Sequence, residues 1–136
     1  MSEEEKKKQQ HGERNLDLCK QLLSDGKYHD WIVTTAFYSA VQFVEYAVFP
    51  VVIKSVKYSD FEEYYDANSK HGSPNKHNIR KRLVSDQIPS IKTQYRELLD
   101  DCHTARYYTY EVSPNTAIEA KKKAEFIRSE CLKHKQ

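Results

Sequence analysis

The stretch HDWIVTTAFYSAVQFVEYAVF, residues 29–49, constrains the fold of this chain more than any other. Trp31, Ala36, Phe37, Ala40, Val41, Val44, Ala47 and Val48 fall at helical spacings and cover most of the circumference of one helix. A helix that is apolar on nearly every side needs neighbours on nearly every side, so this segment is expected at the centre of a bundle. It does not read as a membrane span. Thr34, Thr35, Gln42, Glu45 and Pro50 interrupt the apolar run, and an unpaired carboxylate in hydrocarbon is costly. Pro50 lacks an N–H donor and stops or kinks the last turn.

The rest of the chain supplies those neighbours. Three Gly and four Pro in 136 residues are too few for the turns of a sandwich or barrel. The opening MSEEEKKKQQ can pair its charges but has nothing to bury, so residues 1–13 are read as a charged, frayed extension ahead of one helical domain at 14–136. From Arg14 a stripe of Leu16, Cys19 and Leu23 runs to Asp25-Gly26, which places the first helix at about 5–25. Residues 54–72, with Tyr58, Phe61, Tyr64 and Tyr65 among charges, read as a variable connection holding about one helical turn.

Ser73-Pro74 and Ser113-Pro114 each combine a capping hydroxyl with a residue suited to the first helical turn. The first opens a short helix to about Ser85, and the second a long one to about His134. Between them a helix from about Pro89 to Tyr108 carries Ile91, Tyr95, Leu98, Cys102 and Ala105 on one face. The final helix shows a narrow seam of Ala117, Ala120, Ala124, Ile127 and Cys131. Together these elements predict an all-α, up-and-down bundle of four to five helices around one core. No internal repeat points to a solenoid.

Composition narrows the function classes. A net charge of +2 leaves no global polycation, so nucleic-acid binding requires a local patch. Cys19, Cys102 and Cys131 are odd in number, widely spaced and preceded by no apolar signal segment, which suits reduced thiols in a cytoplasmic protein. The sequence has no Gly-rich phosphate loop, His-Glu-x-x-His, Cys-x-x-Cys or nucleophile elbow. His71 and His77 have no third ligand nearby, so neither a metal site nor a cofactor is expected.

Two features are left for chemistry. Lys76, His77, Arg80, Lys81 and Arg82 crowd one short segment, where they form either a solvated face or a contact for phosphates. Tyr107, Tyr108 and Tyr110 directly follow Arg106, and their rings serve either packing and interfaces or base stacking.

Asp30-Trp31, Ala36-Phe37-Tyr38-Ser39-Ala40, His77-x-x-Arg80, Tyr95-x-x-Leu98 and Ala105-Arg106-Tyr107, taken together over about residues 14–134, resemble the HEPN domain family. The resemblance implies a dimeric helical bundle tied to RNA metabolism, toxin–antitoxin systems or antiviral defence, with nucleotidyltransferase-like proteins as frequent partners. It further implies, for catalytic members, a metal-independent ribonuclease using an Arg and a His with four to six residues between them. Arg steadies phosphate and imidazole moves protons. Arg106 has no such His. Arg96 with His103, and Arg128 with His134, meet the spacing, at about the frequency chance would give.

The sequence therefore leads to RNA or nucleotide-like anion binding through Lys76, His77, Arg80, Arg82, Arg106 and Tyr107, probed against two alternatives. One is a noncatalytic homodimerisation or partner-docking module. The other is a ribonuclease with Arg96 and His103 as its catalytic pair.

Overall fold

Why the central helix is central is visible in the computed structural model, which describes residues 1–69, 75–108 and 111–136. Its elements are α1 (Glu3–Asp25), α2 (His29–Val48), β1 (Val51–Ile53), β2 (Val56–Tyr58), α3 (Phe61–Asn68), α4 (Lys76–Gln87), a 3-10 turn (Pro89–Ile91), α5 (Lys92–Tyr107) and α6 (Pro114–Lys135). From Ile32 to Val48 every α2 side chain except Tyr38 and Gln42 is buried. Helices α1, α5 and α6 pack around it. Full burial of a side chain such as Phe37 or Val44 contributes about 1.5–3 kcal/mol, so α2 carries much of the hydrophobic stabilisation.

Residues 1–13 are not a frayed extension. They form the first turns of α1, and three causes account for this. Ser2 and Glu5 close a capping box, with the Glu5 N–H donating to Ser2 Oγ at 3.1 Å and the Ser2 N–H to Glu5 Oε2 at 3.0 Å. Glu3, Glu4 and Glu5 sit at the positive end of the helix dipole. Lys8 Nζ reaches Glu45 Oε1 of α2 at 2.9 Å. The helices close tightly at Gly12, where a Cβ would lie 3.0 Å from the Phe43 ring, and Ser39 Oγ donates to the Gly12 carbonyl at 2.8 Å. Gly26, at φ 71°, ends α1 with its N–H directed to the carbonyls of Leu22 and Leu23.

The connection after Pro50 holds more structure than expected. β1 and β2 pair antiparallel, Val51 opposite Tyr58 and Ile53 opposite Val56. Lys54 and Ser55 make the turn with φ values of 51° and 67°, the left-handed pair required by a tight hairpin. Two turns of α3 follow, capped by Asp60 Oδ1, which accepts the Glu63 N–H at 2.9 Å. Phe61 at its start is buried against Phe49.

The expected start at Ser73-Pro74 lies outside the described residues, as does His71. Helix α4 is capped instead by Asn75, whose Oδ1 accepts the Asn78 N–H at 3.0 Å. Ser113-Pro114 does open α6, with Ser113 Oγ accepting the Thr116 N–H at 3.0 Å. The whole Ala117-to-Cys131 seam is buried within the chain, since α6 lies on α2. Its small residues let the two helices approach closely, so that seam is not surface left over for a second copy.

Cys19, Cys102 and Cys131 are free thiols in the core, and burial pushes Cys19 up to about 11 and Cys131 up to about 12. Among the described residues no helix is long and apolar enough to cross a membrane.

Candidate anion-binding cleft

The cationic segment divides on folding. Helix α4 spans only about three turns, so its side chains point in different directions and meet different neighbours. Arg80 turns inward and is 7% exposed. Its Nε donates to Glu45 Oε2 at 3.1 Å, its Nη2 lies 3.1 Å from the same oxygen, and its guanidinium lies 4.2 Å from the centre of the Phe61 ring. This carboxylate, which looked partnerless in sequence, thus holds Lys8 with one oxygen and Arg80 with the other. Arg80 therefore belongs to the core of the bundle and is removed from the set of solvent-facing anion ligands.

Lys76 bonds both oxygens of Glu62, at 2.8 and 3.0 Å, in an exposed pair across to α3. That pairing holds the Lys76 ammonium above its ordinary pKa. Arg82 is exposed, but five residues along a helix rotate it about 140° from His77, so the two do not share a groove. Only His77 of the segment reaches the cleft described next.

That cleft lies between α4 and α5, over the face of α2. His77 from α4, Phe37 and Tyr38 from α2, and His103, Arg106 and Tyr107 from α5 line it. Its enclosed space is about 30 Å³, enough for one or two water-sized groups. A base cannot enter, and of a phosphate only one or two oxygens would fit inside, so any nucleotide would be held at the mouth, by its phosphate and by rings at the rim.

His77 stands edge-on to Phe37, with ring centroids 5.4 Å apart. Arg80 Nη1 lies 3.2 Å from its Nδ1, and because guanidinium only donates, Nδ1 accepts and the ring proton sits on Nε2. Burial, followed by the charges of Arg80 and His103, holds the His77 pKa below its ordinary value. At neutral pH this residue is therefore an uncharged N–H donor, and an anion nearby would favour its protonated form.

Arg106 closes the other end. It is exposed, in the last turn of α5, where the helix dipole favours a cation. Its guanidinium lies 5.9 Å from the ring of Trp31, which is half exposed. Tyr107 and Tyr108 are 71% and 76% exposed, far more than packing requires, and their rings lie 5.0 and 5.4 Å from His103. Two imidazoles and a guanidinium at the edge of a largely apolar cleft, beside three open aromatic rings, are an arrangement suited to a phosphate with flanking bases.

Of the residues singled out from sequence, the fold thus brings together His77, His103, Arg106 and Tyr107. Arg96 is exposed on α5 two turns from His103, about 10 Å along the axis, and does not line the cleft. Arg128 is held by Glu13 of α1 in a two-point pair at 2.7 and 2.8 Å, which takes it away from His134. Tyr38 was missed as a lining residue, although the spacing of seven from Trp31 places both on one side of α2. Cys102 also lines the cleft, but burial raises its thiol pKa and leaves it a poor nucleophile. Among the described residues no group of three or more His, Cys, Asp or Glu is placed to hold a metal ion.

No family model matches the chain, and no curated protein does.

Proposed function

We propose that this chain is an HEPN-like RNA-binding bundle, in which the mouth of the α4–α5 cleft takes a backbone phosphate and its aromatic rim takes the adjoining bases. The observation that carries the reading is the convergence of His77, His103 and Arg106 from two helices beside the exposed rings of Trp31, Tyr107 and Tyr108. Arg106 supplies the fixed positive charge. His77 and His103 supply donors, and bases stack on the rim at about 1–3 kcal/mol each. Binding of this kind needs no catalytic step, and Arg96 does not line the cleft that His103 lines.

Trp31 is the single tryptophan and provides a built-in reporter. Titration with a short oligouridylate should quench and shift its emission, with an affinity that falls as salt rises. An emission spectrum unchanged by the oligonucleotide at low salt would remove the proposal.

The same three exposed aromatic rings support a second reading, a noncatalytic interface for another copy or for a partner such as a nucleotidyltransferase-like protein, because Tyr and Trp are enriched at protein interfaces. Sedimentation equilibrium distinguishes the two. A dimer that forms without RNA and is dissolved by Trp31→Ala supports the interface reading, and a stable monomer that binds RNA supports the first.

A further inference from the structure

The ion pairs of this chain are shared unevenly among its helices. On α6, Lys121, Lys122, Lys123, Arg128, Lys133 and Lys135 each have a carboxylate within ion-pair distance. Among the described residues no carboxylate stands so close to Lys81, Arg82, Lys92, Arg96 or Arg106, all of which belong to α4 and α5.

Helical rotation sorts these charges. On α5, Lys92, Arg96, His103 and Tyr107 are exposed and fall within about 60° of arc, with Arg106 beside them on the cleft side. Glu97, Asp100 and Asp101 lie further round, toward α6, where Glu97 pairs with Lys123 at 3.7 Å. On α4, Lys81 follows His77 by one turn on the same side, whereas Arg82 points away. Asp86 is rotated about 140° from Lys81, and its charge acts on Tyr64 of α3.

The 3-10 turn at Pro89–Ile91 makes α4 and α5 antiparallel neighbours. The groove that opens at His77 and His103 therefore continues past Leu99, with Lys81 on one wall and Arg96 and Lys92 on the other. From Arg106 back to Lys92 it follows about 21 Å of helix. Lys92 and Arg96 repel each other across one turn, a small cost to α5 that no carboxylate offsets and that a bound phosphate would.

We propose that this groove prolongs the cleft into a track for about four nucleotides of single-stranded RNA, the lower end of the range for single-strand sites, with successive phosphates on Arg106, Arg96, Lys81 and Lys92. The proposal rests on the RNA-binding reading and adds to it a length and a course along α5.

The test measures binding of fluorescein-labelled octauridylate to the full chain by anisotropy, with a parallel titration of unlabelled octauridylate followed by Trp31 emission. Lys92→Gln with Arg96→Gln keeps helix propensity nearly constant. It should weaken the octamer at least about tenfold and shrink the slope of log affinity against log salt by about 1.4, at roughly 0.7 per phosphate contact. The dinucleotide UpU reaches only the cleft mouth and should bind parent and variant alike. Arg14→Gln with Lys57→Gln makes the same charge change at exposed, unpaired cations of α1 and β2, and should leave octamer binding as in the parent. Unchanged octamer affinity and slope in the Lys92 and Arg96 variant, an equal loss in the Arg14 and Lys57 variant, or an octamer that binds no tighter than UpU would each overturn the track, even where Trp31 quenching upholds the cleft. Loss of octamer affinity in the Lys92 and Arg96 variant without any response of Trp31 would uphold the track and remove the cleft. No octamer binding at low salt would remove both.

Discussion

Arg80 and Arg106 are the same residue type, each beside a helical face and each near an aromatic ring, yet the fold uses them oppositely. Arg80 is buried between Glu45 and the Phe61 ring. Arg106 stands in solvent near Trp31, at the rim of a cleft. What separates them is a partner from another helix, since Glu45 lies 35 residues before Arg80. A cation with a buried carboxylate partner stabilises the bundle, and one without such a partner can meet a ligand.

The largest difference should appear in stability. Arg80→Gln leaves Glu45 buried with only the half-exposed Lys8 as counter-charge, and should destabilise the protein by about 3 kcal/mol in urea unfolding. Replacing both members, Glu45→Leu with Arg80→Met, should recover most of that loss, because the uncompensated charge is then absent. An unchanged midpoint for Arg80→Gln would place Arg80 on the solvated face after all.

Arg106→Gln should show the reverse pattern, with stability altered by no more than about 0.5 kcal/mol and RNA affinity reduced about tenfold. If Arg106 contacts one phosphate, the slope of log affinity against log salt should shrink by about 0.7. Loss of stability without loss of RNA binding would abolish the contrast between the two arginines.

His77 touches both regions and should report on each through pH. The folded protein holds its pKa below 6.5, so as pH falls through that value toward the folded one, the unfolded chain takes up the proton first and stability decreases. His77→Gln should remove this contribution in pH-dependent unfolding. RNA binding should respond with the opposite sign, tightening as pH falls through the same window, because a phosphate favours the imidazolium. A pH-independent affinity in the parent would take His77 out of the RNA contact.

The smallest effect is expected at Lys76, whose pair with Glu62 is exposed. Lys76→Gln should leave both the thermal midpoint and the RNA salt slope within error of the parent. A reduced salt slope would extend the RNA path along α4 and away from the cleft.

The long helices α1, α2, α5 and α6 were legible in the sequence because their signals are local. Apolar coverage around residues 29–49 marked α2, and Ser113-Pro114 marked the start of α6 at the correct residue. The hairpin was not legible, because its turn uses Lys54 and Ser55 where Asn-Gly would have announced it. Frayed ends were expected of MSEEEKKKQQ from its lack of apolar residues, whereas Ser2, Lys8 and Gly12 order it through a cap, an ion pair and a close ring contact. The candidate cleft was half legible. Arg106 and His103 share a helix, but the fate of Arg80, Lys76 and Arg82 depends on where α2 and α3 lie in space, which spacing along α4 does not encode.

The burial of the Ala117-to-Cys131 seam has a consequence for biosynthesis. Helix α2 is complete by Val48, but α6, which covers one side of it and ties back to α1 through the Glu13–Arg128 pair across 115 residues, begins only at Pro114. While the ribosome adds the intervening segment, the most apolar helix of the protein lacks that cover. The growing chain is therefore most prone to aggregate in this interval, and a chaperone that shields apolar helices would act on it before α6 emerges.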